Sequence, residues 1–375
     1  MNATLIRPSS RRLSCGATFA VLTRCIGATV ALVVAASPAR GENAGTQRTA
    51  PAAGGDASAP VAVSVEKIWD AAPHNAFTAL IQFQGRLVCA FREGPNHREG
   101  NRESHIRVLA SKDGGKAWEP VAVLEDPRGD IRDAKMAVLP GGQLLLLTAI
   151  KLYEPTAERT YQSIAYRSRD GKTWEGPIDV GQPNVWLWGI KWHKDAGYSI
   201  GYGTAGLKFA RLYRTYDGVK YEPIVEKIDV ADAYPNESAI AFGPDDRAYA
   251  LLRCDPAPAF VGTAGPPYTA WTWKQSKTRV GGPALTFTPD GRLLGGGRLH
   301  DGKVRTSLFW VDPKSAEIGE CLALPSGGDT SYPGLAWDSS GLLNVSYYAS
   351  HEDKKAKIFF AKVRVPGPAS AAGTP

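Results

Sequence analysis

Cysteine is scarce in this chain. Of five, Cys15 and Cys25 fall in the first 41 positions, leaving Cys89, Cys254 and Cys321. Three permit at most one disulfide, which excludes a disulfide-stapled scaffold; Cys89, inside an apolar stretch, reads as a buried thiol. Long hydrophobic runs are also missing. The most apolar segment, Ile26 to Ala36, is too short for a bilayer, which needs ~20 apolar residues. A basic block is lacking too. The formal charge of +7 includes five arginines and no acid within residues 1–41, and without them it falls to +2. Nothing there suggests nucleic acid or a membrane surface as a partner. Neither a phosphate loop nor a nucleotide fingerprint occurs, and no metal is required, so no cofactor is expected.

Residues 1–41 have the layout of a cleaved export signal. Arg7, Arg11, Arg12 and Arg24 precede the apolar run, and Ser37-Pro38-Ala39 follows it. Cleavage after Ala39 or Gly41 would deliver the chain to the periplasm or outside the cell, with no membrane insertion afterwards. Arg11-Arg12 after Ser10 points toward twin-arginine export, but Ser14 stands where an apolar residue is usual, so the route stays open. Neither Cys15 nor Cys25 ends the apolar run as a lipid attachment site would. Residues 42–60 lack large apolar side chains and read as a disordered linker, as does the tail 367–375. Between them, 61–366 form one large all-β domain, expected to be a monomer.

What the domain has is a repeat. An apolar stretch, a tight turn at Gly or Asp and a second apolar stretch recur six times, from IQFQGRLVCAF (81–91) to AWDSSGLLNVSYY (336–348). With Gly85, Gly142, Gly197, Asp246, Gly291 and Gly341 as turn markers, the intervals are 57, 55, 49, 45 and 50 residues. A hairpin in every unit of about 50 residues predicts a β-propeller of six four-stranded blades. Such a fold gathers one position from every blade around a central cavity.

Three further turns carry a second signature: SKDGGKAW (111–118), SRDGKTW (168–174) and the degenerate TYDGVKY (215–221). The Asp carboxylate and the Ser or Thr hydroxyl can satisfy backbone N–H groups of the turn while Trp or Tyr packs beneath. These are Asp boxes, structural devices of the blade rim. In this arrangement they resemble those of the sialidase (neuraminidase) superfamily.

The residues just ahead of each hairpin face the cavity: His74-Asn75, Arg132-Asp133, Trp186 with Trp188, Asn236-Glu237, Gly281-Gly282 and Ser331-Tyr332. Arg92-Glu93, Lys151, Arg253, Arg298 and His351-Glu352 return to the same face. The segment NESAIAFGPDDRAYALLR is similar to the sialidase stretch in which a Glu opens a strand and an Arg closes the hairpin. The resemblance implies Glu237 as the base that polarises a Tyr, and Arg253 as a carboxylate ligand. SYPGLAWDSSGLLNVSYY resembles the last sialidase blade and implies Tyr332 as nucleophile. Arg305 matches a further carboxylate-binding Arg, with Arg298 close behind. A phenol is a poor nucleophile unless a base takes its proton, and a neutral attacker avoids repulsion at a sugar carbon that bears a carboxylate.

For the general acid, counting within FREGPNHREGNRESH (91–105) lands on Glu99, with Glu93, Glu103 and His97 as competitors. The spacing of His97 and His105 permits a metal without implying a ligand geometry. The resemblance fails in the first blade. Where sialidases carry an Arg, HNAFTAL (74–80) offers Asn75 or Ala76, and the Glu that steadies that Arg is replaced by Tyr348. Arg92 or Arg132 could supply the lost cation; Asn cannot form the paired hydrogen bonds of a guanidinium. The expected activity is an exo-glycoside hydrolase that releases a terminal acidic sugar with retention of configuration. Two alternatives stand beside it: a non-catalytic glycan-binding propeller using Trp186, Trp188, Trp271 and Trp273, and unrelated chemistry at Arg132, Asp133 and His351.

Overall fold

A computed structural model describes residues 59–230 and 233–368. The expected export signal (1–41), most of the expected linker and the end of the expected tail lie outside the described residues. The described residues form six four-stranded antiparallel sheets, each a blade of a propeller. Five blades are continuous in sequence. In the first, His74–Phe83 is the inner strand, followed outward by Arg86–Gly94, His105–Ser111 and Glu119–Leu124. The sixth is not continuous: Ser331–Trp337, Leu342–Ala349 and Lys357–Arg364 are completed by Val61–Trp69 from the start of the domain. That strand does not belong to the hairpin repeat, so the repeat alone does not reveal how the ring closes.

The second strand of a blade is covered on both faces. Leu144 to Leu147 are wholly inaccessible, which explains an unbroken apolar run in place of the alternation seen in half-exposed strands. The predicted hairpins form as expected, with one adjustment. The third turns at Lys194-Asp195, with Lys194 in the left-handed region at φ 52°, and Gly197 already belongs to the next strand.

All three Asp boxes close the turn between the two outer strands. Asp113 accepts from the N–H groups of Lys116 and Ala117, Asp170 from Lys172 and Thr173, and Asp217 from Val219 and Lys220. The degenerate third turn is therefore as complete as the others. Trp118 meets Phe360 of the neighbouring blade edge-on, with ring centroids 5.3 Å apart.

One irregularity repeats in every inner strand. Two residues face one on the partner strand at 77–78, 133–134, 189–190, 236–237, 282–283 and 332–333. Such a bulge breaks the ladder and re-aims a side chain. In five blades its first residue has positive φ: Phe77 (63°), Asp133 (58°), Gly189 (75°), Gly282 (56°) and Tyr332 (53°). Glycine takes this conformation freely, whereas bulky residues hold it only where surrounding structure compels them.

Candidate active site

The bulges build the site. Asp133, Glu237 and Tyr332 line one cavity with Phe77, His97, Glu99, Arg132, Trp186, Trp188, Tyr202, Arg253 and Arg298. The Tyr332 hydroxyl donates to Glu237 Oε1 at 2.5 Å. The other carboxylate oxygen, Oε2, accepts from Arg253 Nη1 at 2.8 Å and from the Gly282 N–H at 3.0 Å. Arg253 is itself held by Asp255, which Arg279 braces from behind. Glu237 thus has a fixed orientation, one oxygen committed to structure and one to the phenol. Burial, reinforced by the charges of Glu237 and Asp133, pushes the Tyr332 phenol well above its ordinary range, so it rests protonated.

Two carboxyls besides Glu237 face this space, and their states differ. Burial favours the neutral form of Glu99, but hydrogen bonds from Tyr161 (2.8 Å) and Lys151 (3.1 Å) and the charge of Arg132 outweigh it and hold the acid below its usual range. Burial instead wins at Asp133, raising its carboxyl despite Arg132 and Lys135. Asp133 Oδ1 is buried and has no hydrogen-bond partner among the described residues.

The expected arginines divide. Arg132, Arg253 and Arg298 line the cavity. Arg305 does not reach it: it stands on the third strand of the fifth blade, paired with Glu320 and Asp301. Arg298, from the second strand, takes the place in the cavity, its Nε buried and unpartnered among the described residues. Arg92 is likewise committed elsewhere, wholly buried against Asp130 and the Asn96 carbonyl. Of the two candidates to replace the missing first-blade cation, only Arg132 is in position. Asn75 is structural, donating to the Ala72 and Ala356 carbonyls.

Trp188 packs against Tyr332 with centroids 5.8 Å apart, and Trp186 stacks on Tyr202. Trp271 and Trp273 stack on each other on the outer side of the fourth blade and do not line the cavity. Neither does His351, which packs on Phe359. The pattern of residues ahead of the hairpins missed Phe77 and Tyr202. Counting would have found Phe77, which precedes Gly85 by eight residues, as Asp133, Gly282 and Tyr332 precede Gly142, Gly291 and Gly341 by nine.

The two loop histidines part company: His105 bonds Glu93 and His97 bonds Asp329. His74 also bonds Asp329, so ring nitrogens of His74 and His97 and a carboxylate oxygen come within 4.8 Å of one another. These residues fit a divalent metal poorly. A His74 bound through Nε2 would carry its proton on Nδ1, and that nitrogen is buried without an acceptor among the described residues, whereas metal-bound histidines as a rule donate their other N–H.

No family model and no curated protein matches this sequence. Solved structures do. A protein of unknown function from Dyadobacter fermentans is similar with a TM-score of 0.71 at 20% identity, over 82% of this chain and 100% of the other. The NanB sialidase of Streptococcus pneumoniae gives 0.62 at 10% identity, over 80% and 70% of the two chains. Trypanosoma rangeli sialidase, solved as a covalent intermediate with 2,3-difluorosialic acid, gives 0.61 at 12%, over 78% of this chain and 54% of that one. The fold is a sialidase-like six-bladed propeller. An α-L-arabinofuranosidase of Fusarium graminearum, complexed with arabinobiose, shares it at 0.61 and 16% identity, over 81% and 98%. The sialidase-like propeller is therefore a scaffold on which more than one glycoside-cleaving activity has been built, and the present chain must be read from its own site.

Proposed function

We propose that this protein is an exported, monomeric exo-glycoside hydrolase that removes a terminal acidic sugar, sialic acid or a close relative, with retention of configuration. The observation that carries the reading is the Tyr332 hydroxyl held 2.5 Å from Glu237 in a cavity that also contains three arginines. In the first step Tyr332 Oη attacks the anomeric carbon as its proton passes to Glu237 Oε1, and the bond to the leaving oxygen breaks. In the second, the carboxyl that protonated the leaving oxygen, now a carboxylate, takes a proton from water as the water attacks the anomeric carbon, and Glu237 returns its proton to Tyr332 Oη as the sugar–tyrosine bond breaks. Arg253 and Arg298 offer planar donor pairs to the sugar carboxylate, and Arg132 takes the place of the missing first-blade cation.

The leaving oxygen needs a proton. Glu99, the expected donor, is stabilised as the carboxylate by Tyr161 and Lys151, whereas burial favours the protonated form of Asp133, which lines the cavity with one carboxyl oxygen unpartnered among the described residues. Asp133 is therefore assigned as the acid, and Glu99 as part of the polar wall.

The test is hydrolysis of aryl glycosides by the purified protein: a sialoside first, then uronic-acid and neutral sugars, with Tyr332→Phe beside it. Expected is cleavage of an acidic sugar and loss of roughly three orders of magnitude or more in the variant. Turnover of neutral sugars alone would retain the mechanism and change the substrate. Binding without turnover of any glycoside would make the propeller a glycan-binding module.

A further inference from the structure

Behind Tyr332 lies a second cavity, along the propeller axis. It is lined by inner-strand residues of all six blades, with Tyr198 and Ser199 from a second strand, and shares the residues Tyr332 and Trp188 with the sugar cavity. Its charge is one-sided. Lys135 and Lys191 line it, and no carboxylate does. Lys135 is half-buried and has no ion-pair partner among the described residues; its ammonium lies 4.6 Å from the Trp188 ring centre and 5.5 Å from that of Tyr332. Lys191 stands at a more exposed position. Burial pushes the Lys135 amine down, opposed by the charges of Asp133 and Glu237, which belong to the sugar cavity.

The same lining holds polar atoms left unpaired. Among the described residues, the hydroxyls of Ser199 and Ser238 and the indole N–H of Trp188 are buried with no hydrogen-bond partner, in residues only 1%, 5% and 4% exposed. Buried polar groups are nearly always partnered, so three orphans beside one cavity call for an occupant. An indole and an ammonium can only donate, and hydroxyls can do so. The occupant must then accept several hydrogen bonds, and beside two lysines with no carboxylate in the lining an anion fits. Leu80, Ile240, Leu285 and Leu335 make up much of the remaining wall, which suits a weakly hydrated ion over a phosphate.

We infer that the axial channel binds a small inorganic anion, a halide by preference, between Lys135, Trp188 and the hydroxyls of Ser199 and Ser238. The ion balances the lysine behind the nucleophile's ring and satisfies donors of the second, third and fourth blades. The inference does not depend on the protein being a glycosidase.

Thermal unfolding of the whole protein tests it. Chloride and bromide would each be titrated against gluconate at constant ionic strength, with sulfate as a further arm. Expected is a saturable rise in Tm of a few degrees with either halide and little with sulfate. Lys135→Met should lose the halide-dependent rise. Should that variant not fold, Ser199→Ala with Ser238→Ala should weaken it. Crystals soaked in bromide should show an anomalous peak beside Lys135 Nζ. A Tm indifferent to halide, a halide response unchanged in Lys135→Met, or a channel holding only water would each overturn the inference.

Discussion

At the scale of single residues, the site separates its carboxyls by environment. Glu237 receives an arginine, a backbone N–H and a phenol; Asp133 has an oxygen that receives nothing among the described residues. Removing the acid of a glycosidase matters in proportion to how badly the leaving group needs a proton, typically ~10²–10⁴-fold. Asp133→Asn is therefore expected to slow an alkyl or oligosaccharide substrate by about that factor while leaving a nitrophenyl glycoside nearly untouched. Glu99→Gln should slow both alike and only slightly. Comparing kcat/KM for the two substrate classes checks this, and a leaving-group-dependent loss in Glu99→Gln would return the acid role to Glu99. Sequence alone could place both carboxyls near the cavity but could not rank them. The ranking depends on Tyr161 and Lys151, which come from the second blade and are remote from Glu99 in sequence.

At the scale of elements, the inner-strand bulge does most of the positioning. Its presence six times over was invisible in the hydrophobic pattern, because a bulge adds one residue without changing composition. The hairpins and Asp boxes were legible, since turn chemistry is local and demands particular residues. Arg305 shows the opposite failure: its motif was readable, but the strand that carries it is third in its blade and directs it to Glu320 and Asp301. Gly282 tests the bulge. A Cβ there would lie 2.6 Å from Ser331 Oγ and 3.0 Å from the Tyr332 ring, and φ is +56°. Gly282→Ala is expected to cost about 1–2 kcal/mol of stability for the left-handed backbone. It should also lower kcat by roughly 10²-fold, because a displaced phenol loses its alignment with Glu237. Denaturant unfolding and steady-state kinetics read the two effects separately. Undiminished kcat in a destabilised variant would show that the bulge positions the strand and not the nucleophile.

At the scale of the whole molecule, the ring closes where its first and last strands meet, and ionisable groups are concentrated there. Glu93, in the first blade, accepts from Trp69 of the closing strand and from His105 and Arg107 of its own blade. Asp329, leading into the last blade, accepts from His74, His97 and Tyr348. Burial opposes ionisation of both acids, yet these partners prevail, lowering Glu93 from 4.5 to about 2 and Asp329 further still. His74 moves the other way in charge, because burial disfavours its cation and lowers its pKa below 6.5. The three act with one sign. An acid with a depressed folded pKa stabilises fully above its unfolded value and loses that contribution as pH falls toward the folded one; a histidine kept neutral begins to favour unfolding as pH falls through 6.5. The seam should therefore weaken from about pH 6.5 downward and most steeply between 4.5 and about 2. Hydrogen exchange followed across this range should show Val61–Trp69 and Lys357–Arg364 losing protection before the second strands of blades two to four. The Glu93→Gln variant should lose seam protection already at neutral pH and flatten the response between 4.5 and about 2. Simultaneous loss of protection in all six blades would show instead that the ring unfolds as one unit, with the seam no weaker than the rest.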